Sequence, residues 1–173
     1  RNRISRWEST KGDGVFDKHT VFVDNIPPVR NVLPIGKDSI LVNTSHSDNL
    51  DLYTDTNGDG VADKKETVFT GVGLGRDGNI EHEQSGFLWA MDNWIYSTYN
   101  TFRFRWTPTG FQKETIPNAG GQWGLTQDDD GKTWNAKDGV NPLAPLKALS
   151  LNAGGAVNGG CGMWSMDSIP RPR

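Results

Sequence analysis

One acidic stretch, DTNGDGVADKKE at residues 55–66, carries oxygen-bearing side chains at the spacing of an EF-hand calcium loop. Such a loop takes its ligands from positions 1, 3, 5, 7, 9 and 12 and has glycine at position 6. Glycine falls at position 6 here, and every ligand position holds a suitable residue. The predicted ligands are Asp55, Asn57, Asp59, the carbonyl of Val61, Asp63 and Glu66. The stretch therefore predicts a calcium ion, with a solvated acidic turn as the alternative, because Asn-Gly and Asp-Gly are common hairpin turns.

Two further acidic turns match this spacing less well. In residues 9–20 the first, third and last ligand positions hold Ser9, Lys11 and Thr20, and the lysine would point an ammonium group at the cation. The three consecutive aspartates at residues 128–130 lack the alternating spacing. We therefore expect calcium at residues 55–66 and not at the other two turns.

The segment GNIEHEQSG, residues 78–86, groups ionisable side chains that could perform acid–base chemistry. Glu81, His82 and Glu83 are adjacent, and Arg76 lies just upstream. A histidine between two carboxylates holds its proton more tightly and can act as a general base or acid. These four residues are the predicted catalytic group, and the alternative is a hydrogen-bonded histidine in a surface loop.

An internal repeat organises the elements around the acidic stretch. Residues 3–26 align with residues 49–72, and Asp13 then stands opposite Asp59, which gives a period of 59 − 13 = 46 residues. Each copy reads as an alternating strand, an acidic glycine turn and a second strand. The predicted calcium loop therefore lies in a β-hairpin and not between two helices. Further strand–turn–strand patterns follow at residues 32–44, 87–99, 102–116 and 123–134.

Short strands with this period predict an all-β fold, a β-propeller-like array of antiparallel blades, since propeller blades contain about 40–50 residues each. We place the array at residues 1–138 and an irregular tail rich in glycine, alanine and proline at residues 139–173. The array would hold three to three and a half blades, whereas closed propellers usually have at least four. We therefore expect a fragment, an open array or a ring completed by an oligomer, and self-association through open blade edges.

The composition argues against two kinds of partner. The 18 basic and 21 acidic residues give a net charge of −3, which provides no general attraction to nucleic acid. No apolar run approaches the roughly 20 residues that span a bilayer, so we expect no membrane insertion.

Three segments carry a resemblance to a known group of proteins: DTNGDGVADKKETVF, GRDGNIEHEQSGFLWAMDNWIYSTYNTFRFRW and GGQWGLTQDDDGK. From residue 3 to about residue 134 the chain resembles the propeller domain of bacterial proteins named membrane-bound dehydrogenases, which are abundant in planctomycetes. That domain is similar to sorbosone and glucose dehydrogenases that use pyrroloquinoline quinone (PQQ), often with calcium. The resemblance implies calcium and PQQ as cofactors and a periplasmic or secreted bacterial protein. From about Asn141 the sequence departs from the pattern, so we expect a truncated form of that domain.

Three functions are compatible with these features. The favoured one is a calcium-dependent hydrolase of small esters or lactones, of the sugar or acyl-homoserine type, in which calcium polarises a carbonyl and a side chain activates water. The first alternative is a fragment of a PQQ-dependent sugar or aldehyde dehydrogenase. The second alternative is a non-catalytic binding module stabilised by calcium. The first two functions require a small-molecule substrate.

Overall fold

The computed structural model describes residues 2–72, 83–84, 86–98, 102–116 and 123–136. Within these residues it contains twelve β-strands and no helix, and every strand pair is antiparallel. The all-β prediction is therefore confirmed. The described part of the chain also has no helix long and apolar enough to cross a membrane.

The strands form two four-stranded and two two-stranded sheets, each built from neighbours in the sequence. The four-stranded sheets have the orders β3-β4-β5-β6 and β7-β8-β9-β10, and the two-stranded sheets are β1-β2 and β11-β12. The strands are β1 (Asn2–Glu8), β2 (Lys18–Ile26), β3 (Val29–Ile35), β4 (Ser39–Thr44), β5 (Leu50–Thr54), β6 (Lys64–Phe69), β7 (Leu88–Trp89), β8 (Ile95–Tyr96), β9 (Phe102–Thr107), β10 (Gly110–Thr115), β11 (Trp123–Gln127) and β12 (Thr133–Ala136).

The chain divides into two compact units, Arg1–Thr70 and Gly71–Arg173. In the first unit the β1-β2 sheet packs against the β3-β6 sheet. Phe22, Val23 and Ile26 of β2 meet Val42 of β4 in one buried cluster. Burial of these side chains is the main force that holds the two sheets together, because each fully buried aliphatic or aromatic side chain contributes about 1.5–3 kcal/mol.

The second unit also combines a four-stranded sheet with a two-stranded sheet, but here the four-stranded sheet comes first along the chain. Ala90, in the turn between β7 and β8, and Tyr96 of β8 form a buried cluster, and the partly buried Leu125 of β11 packs against it. The turn between β7 and β8 also contacts the end of β11, since the backbone N–H of Met91 donates to Oε1 of Gln127 over 3.0 Å. The β11-β12 hairpin therefore packs beside the β7-β10 sheet.

The 46-residue repeat seen in the sequence corresponds to two equivalent hairpins, β1-β2 and β5-β6. In each, the backbone N–H that opens the second strand donates to a carbonyl at the end of the first: Asp17 to Glu8 over 3.1 Å, and Asp63 to Thr54 over 3.0 Å. In the part of the chain that is described, the four sheets form no closed barrel or ring. The predicted tail at residues 139–173 lies outside the described residues.

Candidate metal loop and buried carboxylate

The acidic loop that joins β5 to β6 packs against the β1-β2 sheet. The backbone N–H of Ala62 donates to the carbonyl of Phe22 on β2 over 2.9 Å. Gly60 has a φ of +90°, and a Cβ added there would lie 3.3 Å from Cγ2 of Thr20. A side chain at this position would be strained by its backbone and would press on β2. Glycine therefore lets the loop approach the preceding sheet closely.

Asp55, the first predicted ligand, is buried and organises the loop backbone. Its Oδ1 accepts the N–H of Gly58 over 2.7 Å, and its Oδ2 accepts the N–H of Gly60 over 2.8 Å. Burial alone would raise the pKa of Asp55, but the backbone N–H groups of the loop, those of Gly60 and Gly58 foremost, together outweigh it and hold the pKa below its ordinary value. The carboxylate is therefore kept ionised.

The side chains of Asn57 and Asp59 also accept hydrogen bonds from the loop backbone. Oδ1 of Asn57 accepts the N–H of Asp59 over 2.9 Å, and Oδ1 of Asp59 accepts the N–H of Val61 over 2.8 Å. The amide of Asn57 also donates to Oδ2 of Asp59 over 3.2 Å. The side chains at the first three alternating ligand positions are therefore all turned back onto the loop.

Asp63 and Glu66, the last two predicted ligands, contact the side chains of other residues. Both carboxylate oxygens of Asp63 lie 2.9 Å from the hydroxyl of Thr56, whose N–H also donates to Oδ1 over 3.1 Å. Glu66 lies on β6, where its carboxylate pairs with Nζ of Lys64 over 2.6 Å. The structure thus does not bring all six ligands together, and among the described residues no group of three His, Cys, Asp or Glu side chains is placed to hold a metal ion.

The donor chemistry nevertheless fits a hard cation in the loop proper. An ionised carboxylate has about four acceptor sites, so Asp55, Asp59 and Asp63 retain lone pairs beyond the hydrogen bonds that they accept. Calcium prefers such carboxylate, amide and carbonyl oxygens. The residues that would hold the ion are Asp55, Asn57, Asp59 and Asp63 with the carbonyl of Val61, and Glu66 would first have to leave Lys64.

The loop of the first repeat, residues 9–17, forms hydrogen bonds equivalent to those of Asp63 and Asp59, although it lacks the predicted set of calcium ligands. Asp17 accepts the N–H and the hydroxyl of Thr10 over 2.8 and 2.6 Å, as Asp63 does from Thr56. Oδ1 of Asp13 accepts the N–H of Val15 over 2.9 Å, as Asp59 does from Val61. The Thr–Asp contact, spaced by seven residues in both copies, was missed by the sequence analysis, although the spacing itself was visible in the repeat.

The third acidic turn closes the β11-β12 hairpin. Asp128 is buried, and its Oδ1 accepts the N–H of Lys132 over 2.8 Å. Gly131, with a φ of +80°, supplies the left-handed residue of the turn. This aspartate therefore has a local structural role in the hairpin.

Of the predicted catalytic group, only Glu83 is among the described residues, since Arg76, Glu81 and His82 lie outside them. Glu83 is 4% exposed and Gln84 is 3% exposed, shortly before β7. Burying a carboxylate is costly unless other groups compensate for the lost water. For the predicted catalytic group, the structure therefore shows that Glu83 is buried in the segment that precedes β7.

The comparisons with known proteins place the chain in a family without assigning a chemistry. The family model described as Domain of unknown function (DUF7133) matches residues 1–148. The chain belongs to the DUF7133 family. No curated protein and no solved structure matches it. The DUF7133 match includes all twelve described strands, both repeated hairpins and the segment around Glu83.

Proposed function

We propose that this chain is a calcium-stabilised binding module of β-propeller type, in which the consecutive antiparallel sheets serve as blades. One observation supports this most directly: the predicted ion-binding loop joins β5 to β6 and at the same time rests on β2 of the preceding sheet. An ion in this loop would stiffen the contact between two neighbouring blades.

The electrostatics of the loop favour a cation. Three aspartates, Asp55, Asp59 and Asp63, stand within nine residues, and backbone N–H, amide and hydroxyl groups of the loop donate hydrogen bonds to their carboxylates. Bound calcium would offset the repulsion between these carboxylates and supply the positive charge that the loop lacks.

The same geometry favours a structural ion over a catalytic one. A catalytic metal keeps an open position for water or substrate, whereas a structural site is closed by protein ligands. With Glu66 released from Lys64, the loop would offer five side chains and a carbonyl while Ala62 and Gly60 are held against β2, and these six ligands would surround the ion with protein oxygens. A binding module therefore fits the loop better than a hydrolase that uses this ion.

The experiment compares two variants that remove the same hydrogen bond from the two repeats. Asp59→Ala removes the acceptor of the Val61 N–H, and Asp13→Ala removes the acceptor of the Val15 N–H. We expect calcium to raise the melting temperature of the wild type and of Asp13→Ala, because a ligand at about 100 times its Kd stabilises the folded state by about 2.7 kcal/mol. Asp59→Ala should lose most of this increase. Equal melting curves of the wild type in calcium and in chelator would contradict the proposal.

A second candidate function is hydrolysis of small esters or lactones, and the burial of Glu83 favours it. A desolvated carboxylate beside His82 could orient that histidine as a general base, with Glu81 and Arg76 close in sequence. His82→Ala should then lower the rate on a panel of lactones by about 10²-fold, the usual scale for a lost general base. Glu83→Gln, which keeps the shape of the side chain, tests the orienting role. Reduction of a dye that requires added PQQ would instead support the dehydrogenase alternative.

A further inference from the structure

Two buried polar side chains at one end of the β3-β6 sheet lack the hydrogen bonds that burial normally requires. Asn31 on β3 and Ser45, directly after β4, are each 6% exposed. Within the described part of the chain, neither Nδ2 of Asn31 nor Oγ of Ser45 has a hydrogen-bond partner. A buried polar group without a partner destabilises the fold, and in folded proteins such groups are usually satisfied by another polar group or by ordered water.

The pairing of β3 with β4 brings these two side chains close together. Asn31 stands opposite Asn43, and the register of the two strands shifts between Val29 and Asn31. Two residues after Asn43, the backbone N–H of Ser45 donates to the carbonyl of Pro28 over 2.8 Å. Asn31 and Ser45 are therefore diagonal neighbours across the two strands, and the Cβ atoms of such neighbours are roughly 7 Å apart or less.

The chemistry of the two groups indicates what could lie between them. The amide NH2 of asparagine only donates hydrogen bonds, whereas the serine hydroxyl both donates and accepts. Both groups are neutral, and a buried ion without an opposite charge is costly. A water molecule accepts from one group and bonds the other, and its two hydrogen bonds span up to roughly 5.7 Å. Two to four polar partners are what a buried water needs.

We propose that Asn31 and Ser45 hold one buried water molecule, which joins β3 to the segment between β4 and β5. This water site goes beyond the proposed function and does not depend on calcium. It lies at the opposite end of the sheet from the 55–63 loop, because that loop follows Thr54, and Thr54 stands opposite Ser39 at the start of β4.

The water completes a set of contacts that fix the loop at residues 45–49. The amide of Asn43 donates to the carbonyls of Ser47 and Asn49 over 3.1 and 3.0 Å, and the N–H of Asn49 donates to Oγ of Ser47 over 3.2 Å. His46 has a φ of +59°, a conformation that a residue other than glycine keeps only where its surroundings hold it. Asn43 holds the far side of this loop, and the water holds its near side at Ser45.

Thermal unfolding of three variants tests whether the two groups share one partner. Ser45→Ala and Asn31→Leu each remove one hydrogen-bonding group, and the double variant removes both. We expect each single variant to lower the melting temperature by a few degrees, because the remaining buried group loses its partner. The double variant should lose clearly less than the sum of the two, since the contacts to one shared water are lost only once.

The matched control combines Asn31→Leu with Ser39→Ala. The hydroxyl of Ser39 lies 2.9 Å from that of Thr54, at the other end of β4, so it shares no partner with Asn31. The losses of this pair should add, as they do for distant and independent sites. Ser45→Ala should also keep any increase in melting temperature that calcium gives the wild type, so failure of the water site can be told apart from failure of the calcium proposal.

A high-resolution crystal structure of the wild type identifies the occupant. We expect one water oxygen about 2.7–3.2 Å from both Nδ2 of Asn31 and Oγ of Ser45, and no such water in the double variant. The proposal would be overturned by additive losses in the double variant, by a direct hydrogen bond between the two side chains, by another part of the chain bonding either group, or by an ion or larger molecule at the site.

Discussion

Asp17 and Asp63 close their loops through the same pair of contacts to a threonine. The hydroxyl and N–H of Thr10 hold the pKa of Asp17 below its ordinary value, because both stabilise the ionised carboxylate. A lowered pKa in the folded state means that the contact stabilises the fold above the ordinary carboxylate pKa. This stabilisation is lost as the pH falls through the lower folded value.

Thr10→Val therefore provides a pH-dependent test of the contact. The substitution keeps the branched shape and removes the hydroxyl, so we expect the melting temperature to fall by a few degrees at neutral pH. The difference from the wild type should shrink as the pH falls below about 4, where aspartate carboxylates become protonated. Thr115→Val, at an exposed threonine of β10, is the control and should have little effect at either pH. A difference that stays constant down to the lowest pH at which the protein folds would mean that the carboxylate is not the partner.

At the scale of the elements, the close contact between the 55–63 loop and β2 depends on Gly60. Gly58→Ala and Gly60→Ala both place a side chain at positive φ, 81° and 90°, which costs about 1–2 kcal/mol. Only Gly60→Ala also meets Thr20, since a Cβ at Gly58 has no neighbour within 4 Å. We expect Gly60→Ala to reduce the free energy of unfolding more than Gly58→Ala does.

Adding Thr20→Ser isolates the contact between loop and strand, because it removes the Cγ2 that the new methyl would meet. In urea denaturation the double variant Gly60→Ala, Thr20→Ser should recover the part of the loss that exceeds that of Gly58→Ala. Thr20→Ser should not rescue Gly58→Ala. Equal losses in both glycine variants, with no rescue, would show that the loop does not press on β2.

The hairpins could be predicted from the sequence because their signals are local. Alternating strands, Asp-Gly turns and the 46-residue repeat correctly indicated β1-β2 and β5-β6. The pairing of Glu66 with Lys64 could not be read from an EF-hand spacing, in which the last ligand follows on a helix. Here β6 begins at Lys64, and alternation along the strand puts Lys64 and Glu66 on the same face. The contact between the loop and β2 could not be predicted either, because the hydrogen bond from Ala62 to Phe22 joins residues far apart in the sequence and no local pattern encodes it.

Across the whole molecule, the buried clusters indicate how stability is distributed. One cluster joins β1-β2 to the β3-β6 sheet, and another joins the β7-β10 sheet to β11. Each cluster lies within one of the two units. Elements that share a buried cluster tend to open together, whereas elements in different clusters can open separately. The predicted ion site belongs to the first cluster through Ala62.

This distribution leads to a prediction for amide hydrogen exchange measured by mass spectrometry. Calcium should slow exchange in the 55–63 loop and also in β2, because the N–H of Ala62 donates to Phe22 and Gly60 rests on Thr20. The β9-β10 hairpin, which belongs to the second unit, should exchange at the same rate with calcium or with chelator. Asp59→Ala should abolish the change in both the loop and β2, and Asp13→Ala should preserve it. Protection that appeared in the loop but never in β2 would mean that the ion orders its own turn without stiffening the contact between neighbouring sheets.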